Sequence, residues 1–289
     1  MASRSTAWID PLAIDSAKSL EWIAKSIAKG QLQGKHKSQR LSSGYEFSQF
    51  RPYVQGDDLR LIDWKMYAKT EKYYIKLSDV ERDHNLHIII DNSRSMDYEE
   101  DNWSKLLFAK LLSACVSYVT IQQGDAFSWS SLDQLFPRSL GMQHWRNSIN
   151  ALHDLNSSKA SRLINLKPEN NKVYLWLTDL YQEIDDIKSV VDSLKHNNTE
   201  LIIFHLLGER EESLDFPNNT TFIDLESEEK VQVNPKEYLS QYQEQFNEHL
   251  KACKKLFYEK GINYQQAYIN RPVQQSLKLF LDSYNKSLL

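Results

Sequence analysis

The stretch Ile88–Met96, IIIDNSRSM, sets three oxygen-bearing side chains, Asp91, Ser93 and Ser95, at alternate positions directly after a β-branched apolar run. One carboxylate and two hydroxyls are donors of the kind a hard divalent cation takes. So low a protein charge leaves the shell incomplete and the ion electrophilic, with positions for water or an incoming ligand. A second carboxylate, Asp179, stands just past another apolar run, KVYLWLT (172–178). The plainer reading is that Asp and Ser after a strand form a turn or cap a helix. The strand before DNSRS, the helical pattern after it and the position of Asp179 together favour Mg2+ or Mn2+ binding.

These residues need elements that bring them together. LHIII (86–90), KVYLWLT and ELIIFHLL (200–207) are short, apolar and rich in β-branched residues, as parallel strands buried on both faces are. DAFSWSSL (125–132) and QLF (134–136) resemble a hairpin, and GINYQQAYI (261–269) a further strand. Helical patterning covers 103–122, 142–155, 184–196, 235–260 and 272–287, with Pro272 suited to a first turn. EREESLD after Gly208 reads as an acidic loop, and TTFIDLES with KVQVN as a hairpin. This alternation predicts an α/β fold, a doubly wound, mostly parallel sheet with helices on both faces. In such a sheet the first strand often neighbours the fourth across the switch point, where ligands bind outside the carboxyl ends. Counting LHIII as first and the hairpin strands as second and third makes KVYLWLT the fourth. Asp91 and Asp179 are then expected to converge.

Ahead of this lies residues 1–84, read as an N-terminal segment packed on the core; 85–289 form the main domain, with an insertion near 211–234. Leu12, Leu20, Ile23, Ala24 and Ile27 have helical spacing, and Gly30 offers a stop. GKHKSQRLSSG (34–44) reads as a basic loop, a short helix is expected after Asp57 or Asp58, and YYIKL (73–77) as a strand. Asp57 and Asp58 read as helix caps, with Arg60, Asp63 and Lys65 in ion pairs, rather than as ligands. Trp64 is expected to anchor on the core, and His87 and Cys115 to be core residues.

A net charge of -4 predicts no global attraction to nucleic acid. Two cysteines, Cys115 and Cys253, both in helical patterns, give neither a disulfide framework nor a zinc site. The first residues lack the pattern of a signal peptide, and no 18-residue apolar run is present, so a cytoplasmic protein without a membrane span is expected. GxSxG, P-loop and HExxH motifs are missing. An alternative to binding is Mg2+- or Mn2+-dependent phosphoester hydrolysis, with two aspartates holding the cation; it lacks an evident general base.

DNSRS with Asp179 downstream resembles the metal-ion-dependent adhesion site of von Willebrand factor A domains. GKHKS (34–38), YEFSQFRPYVQGDDLRLIDWKMYAKT (45–70), YIKLSDVERD (74–83) and IIIDNSRSM, in this order, are similar to the family called domain of unknown function 58. IDLESEEKVQVNP (223–235) and GINYQQAYINRPVQQSLKLFLDS (261–283) extend the resemblance to nearly the whole chain. It implies a von Willebrand factor A-like fold and a Mg2+ or Mn2+ site of Asp91, Ser93, Ser95 and Asp179, joined by a hydroxyl from a middle loop. That loop is read as FPRSLGMQ (136–143), whose one hydroxyl is Ser139; Thr178 is expected to point to the other strand face. The resemblance also implies a partner carboxylate entering the shell, with Arg94 and Asp97 as candidate partner contacts beside it. DYEED (97–101) is otherwise a solvated acidic turn. A MoxR-type AAA+ ATPase, or a client protein matured with it, is the partner the family implies, and the chain would be an adaptor rather than an enzyme.

Overall fold

A computed structural model describes residues 9–36, 49–54, 62–77, 85–159, 169, 172–196, 198–225 and 228–287. The chain divides into two compact units, one of residues 1–32 and 84–289, the other of residues 33–83.

Helix α1 (Ala17–His36) opens the chain after a short 3-10 turn and runs through Gly30. Its apolar face, Leu20, Ile23, Ala24, Ile27 and Ala28, is buried in the main core. The smaller unit holds β1 (Gln49–Pro52), α2 (Trp64–Thr70) and β2 (Tyr74–Leu77), with β1 and β2 antiparallel. Asp63 caps α2 by accepting the Met66 N–H at 2.9 Å. Tyr67 stacks on Tyr73 with ring centroids 4.5 Å apart. Trp64 meets Tyr67 edge-on, with ring centroids 6.1 Å apart. Asp57, Asp58, Arg60 and most of the basic loop after His36 lie outside the described residues.

The larger unit runs β3 (Asn85–Ile90), β4 (Glu99–Glu100), β5 (Trp103–Ser104), α3 (Lys105–Gln122), β6 (Ala126–Ser130), β7 (Leu135–Ser139), α4 (Gly141–Asp154), β8 (Lys172–Thr178), α5 (Ile184–Leu194), β9 (Glu200–Leu207), α6 (Glu209–Ser213), β10 (Thr220–Ile223), β11 (Lys230–Val233), α7 (Pro235–Glu259), β12 (Asn263–Tyr268) and α8 (Val273–Ser287). EREES is thus a short helix rather than a loop, and β10 and β11 form the expected antiparallel hairpin.

The central sheet has six strands in the order β12-β9-β8-β3-β6-β7, all parallel except the edge strand β7. The pleat sorts side chains to two cores. Leu86, Ile88 and Ile90 of β3 join α1, α3, α4 and α8 on one face. Ile89, Tyr174 and Trp176 join α5 and α7 on the other. Burial on both faces explains why β3, β8 and β9 read as continuous apolar runs. α3, the one described helix long and apolar enough to cross a membrane, is packed inside the first core.

His87 is the polar exception in β3. It sits between Ser128 Oγ (2.7 Å from Nδ1) and Ser130 Oγ (2.9 Å from Nε2), so both ring nitrogens are satisfied. Strand order reverses between β3 and β8, the switch point outside whose carboxyl ends open α/β sheets bind their ligands.

Candidate metal centre

Asp91 continues the β3 ladder: its N–H donates to the Leu177 carbonyl at 2.8 Å. Ile90 pairs with Leu177. The next neighbours across the strands are therefore Asp91 and Thr178, whose side chains share one face of the pleat. Thr178 Oγ1 accordingly donates to Asp91 Oδ2 at 2.7 Å. The expectation that Thr178 turns away is corrected here. Alternation separates it from Asp179, the next residue in its own strand, and not from Asp91.

The rest of the Asp91 shell comes from the loop ahead. Ser93 donates to Oδ1 through its N–H (3.0 Å) and its hydroxyl (2.7 Å). Ser93 Oγ and Ser95 Oγ lie 3.0 Å apart, and Gln182 Nε2 donates to Asp91 Oδ2 at 3.2 Å. Asn92, fully buried, holds the neighbouring loops: it accepts the Leu132 N–H at 2.9 Å and donates to Asp133 Oδ1 at 3.1 Å and to the Asn156 carbonyl at 2.8 Å. Asp91, Ser93 and Ser95 are thus gathered in one place.

Asp179 is brought close enough for its charge to act on Asp91, but its carboxylate is already engaged. Lys105, the first residue of α3, places Nζ 3.3 Å from Asp179 Oδ2 and 2.7 Å from Glu211 Oε1. This ammonium is buried and lies 5.1 Å from the centre of the Tyr98 ring.

Ser139 does not reach the site. β7 is antiparallel, so it carries Ser139 back beside Phe127, at the amino end of β6 and away from the carboxyl edge. The expected loop FPRSLGMQ is a strand as far as Ser139. The hydroxyl-bearing loop beside Ser93 follows α4 instead: Ser158 N–H donates to the Asn92 carbonyl at 2.7 Å and Ser158 forms a parallel bridge with Ser93.

Arg94 and Asp97 begin and end the 3-10 turn after Ser93. Arg94 Nη1 donates to Glu228 Oε1 at 2.7 Å, at the base of the β10–β11 turn, and Asp97 is exposed. The Arg94 hydrogen bond and charge hold the Glu228 carboxyl below its ordinary range.

Asp91 is only 2% exposed. Burial, and then the neighbouring Asp179 charge, raise its pKa, while hydrogen bonds from Ser93 and Thr178 oppose the rise. Burial works against the Lys105 ammonium, but Asp179 and Glu211 outweigh it and hold its pKa above the ordinary value. The two carboxylates therefore have different fates. Asp179 has a cation and Asp91 has only hydroxyl and amide donors, with no ion pair among the described residues.

The donor chemistry fits a hard cation at Asp91, Ser93 and Ser95, all oxygen and all hydrogen-bonded to one another or to a shared neighbour. Gln182 Oε1, on the amide that touches Asp91, is buried and has no hydrogen-bond partner among the described residues, which is a further unspent oxygen. Among the described residues no three His, Cys, Asp or Glu side chains gather at coordination distance. A cation here would rest on one direct carboxylate and hydroxyls, a recipe for weak affinity.

Fold and site together define an α/β protein with a mostly parallel six-stranded sheet and a cluster of oxygen-bearing side chains at its carboxyl edge. The chain belongs to the family described as "Protein of unknown function DUF58", whose model matches residues 49–252. Uncharacterized proteins of Mycobacterium tuberculosis and Mycobacterium bovis are each 26% identical over 116 residues, covering 40% of this chain. The match spans 37% of the length of these curated relatives. Among solved structures, BatB of Bacteroides thetaiotaomicron aligns with a TM-score of 0.36 at 12% identity, over 70% of this chain and 98% of that one. An aerotolerance-related membrane protein of Bacteroides fragilis aligns with a TM-score of 0.37 at 15% identity, over the same shares.

Proposed function

We propose that this protein is a metal-ion-dependent binding module of the von Willebrand factor A type, whose crevice takes Mg2+ or Mn2+ at Asp91, Ser93 and Ser95. Thr178 orients the Asp91 carboxylate, and Asp179 adds charge from behind its ion pair with Lys105. The observation that carries the reading is the buried Asp91 carboxylate, ringed by hydroxyls and beside a second carboxylate, with no cation of its own among the described residues. Bare burial of such a charge is unfavourable, and a cation or a proton must relieve it.

A bound cation supplies a Lewis-acidic position for a carboxylate of another protein. This chain's own part is to hold the oxygens in place and to receive that acidic side chain beside Arg94. A MoxR-type AAA+ ATPase, or a client handled with one, is the proposed partner, and the role is that of an adaptor. The test is calorimetric titration of a purified MoxR-type ATPase from the same organism into the full chain. Binding in Mg2+ that is lost in EDTA and in Asp91→Ala supports the proposal. Equal binding under all three conditions, or none in Mg2+, overturns it.

A further inference from the structure

Lys105 is an expensive residue in its place. It opens α3, where the helix dipole disfavours a cation, just after Ser104 caps the helix by accepting the Leu107 N–H at 3.0 Å. It is 1% exposed. An apolar side chain there, with apolar partners, would serve stability at least as well. The residue is nevertheless met by carboxylates from two distant elements, Asp179 after β8 and Glu211 in α6.

The two contacts are unequal. Glu211 holds Nζ at 2.7 Å, Asp179 at 3.3 Å. Glu211 is itself fixed: its Oε2 accepts the Gly208 N–H at 3.1 Å, and its carbonyl accepts the Tyr242 hydroxyl of α7 at 2.8 Å. Asp179 is held more loosely, its other oxygen accepting the Tyr181 N–H at 3.3 Å. Glu211 therefore draws the ammonium off Asp179 and governs how much of the Asp179 charge is left to the crevice.

We propose that the Lys105–Glu211 pair sets the cation affinity of the crevice, with the buried ammonium as an internal competitor for Asp179 and Glu211 as the residue that restrains it. This rests on the metal reading above. Both residues act as positioning residues, since neither is among the cation's own donors. α6 and α7 lie between β9 and β12 in the chain, so the same contacts link metal affinity to the segment joining those two strands.

The experiment is titration of Mn2+ into the full chain, read by calorimetry and by the electron paramagnetic resonance signal of free Mn2+. Lys105→Met removes the competitor and is expected to bind Mn2+ roughly tenfold tighter or more. Glu211→Gln commits the ammonium to Asp179 and is expected to bind roughly threefold weaker or more. A merely structural role would not move the two in opposite directions. A folded Lys105→Met protein that binds no tighter than wild type, or Glu211→Gln that binds no weaker, overturns the proposal. If Lys105→Met does not fold, Glu211→Gln alone decides. Failure of the wild type to bind Mn2+ would sink the metal reading and this proposal with it. Binding that is lost in Asp91→Asn yet indifferent to both other variants would sink this proposal alone.

Discussion

Replacing Asp91 by Asn should stabilise the metal-free protein and at the same time abolish its response to Mg2+. The shape is nearly unchanged, so the effect is one of charge. Ser93 can still donate to the remaining carbonyl oxygen, as it does to Oδ1. The new amide N–H groups meet the Thr178 hydroxyl, which turns to accept one, and Gln182, whose buried Oε1 has no partner among the described residues and can accept the other once that amide turns over. What is lost is a buried negative charge beside Asp179, worth about 1–3 kcal/mol of relief. At roughly 2–4 °C per kcal/mol, the melting temperature in EDTA should rise by about 2–12 °C.

The pH dependence has a definite sign. Asp91 has a raised pKa in the fold, so its contribution is present below the ordinary carboxylate value of 3.8 and is lost as pH rises through the raised one. Neutral pH is where Asn helps most. Wild type in Mg2+ at a hundredfold over its dissociation constant gains about 2.7 kcal/mol, or roughly 5–10 °C, and the variant gains none. Differential scanning fluorimetry at neutral pH, with EDTA and with Mg2+, reads both effects. A variant that melts lower than wild type in EDTA, or that gains as much from Mg2+, would refute the reasoning.

Thr178→Val removes the hydroxyl that donates to Asp91 Oδ2 and accepts the Leu180 N–H at 3.1 Å. It should cost about 1–3 kcal/mol in a chemical-denaturation curve, whereas Ser139→Ala should leave Mn2+ binding unchanged. Gly208→Ala puts a Cβ 2.5 Å from Glu100 Oε2 and from a Tyr98 ring carbon, and should lower stability by about 1–3 kcal/mol in the same assay. His87 and His205 are each pushed down to about 3 by burial, so they stay neutral in the fold while the unfolded chain takes up protons below its ordinary 6.5. Stability should fall as pH drops from 6.5 towards 3, and a pH-independent melting temperature across that window would contradict it. Phosphatase substrates with Mn2+ should show no turnover that depends on Asp179; reproducible turnover lost in Asp179→Ala would restore the hydrolase alternative.

The central strands were legible because burial on both faces leaves a plain mark: β3, β8 and β9 lie where unbroken apolar runs predict them, with β3 beside β8 as the counting of strands required. Asp91, Ser93 and Ser95 were legible because their grouping is local. What a neighbouring strand or a distant helix contributes was not. Thr178 alternates away from Asp179 along its own strand, but the pairing that matters runs across to Asp91. Ser139 failed because β7 reverses direction, which a loop assignment hides. Lys105 reads as the polar start of an apolar helix; its partners lie 74 and 106 positions away, and nothing local marks them. The glutamate-rich EREES likewise gave no sign that one carboxylate, Glu211, turns inward to that ammonium.

The central claim is that the crevice holds a divalent cation, and an anomalous difference map from crystals grown in Mn2+ tests it most directly. A peak is expected within coordination distance of the Asp91 carboxylate and the Ser93 and Ser95 hydroxyls, absent from Asp91→Asn crystals grown alike. No peak there, with Lys105 still bound to Asp179 and Asp91 still held only by its hydroxyl and amide donors, would contradict it.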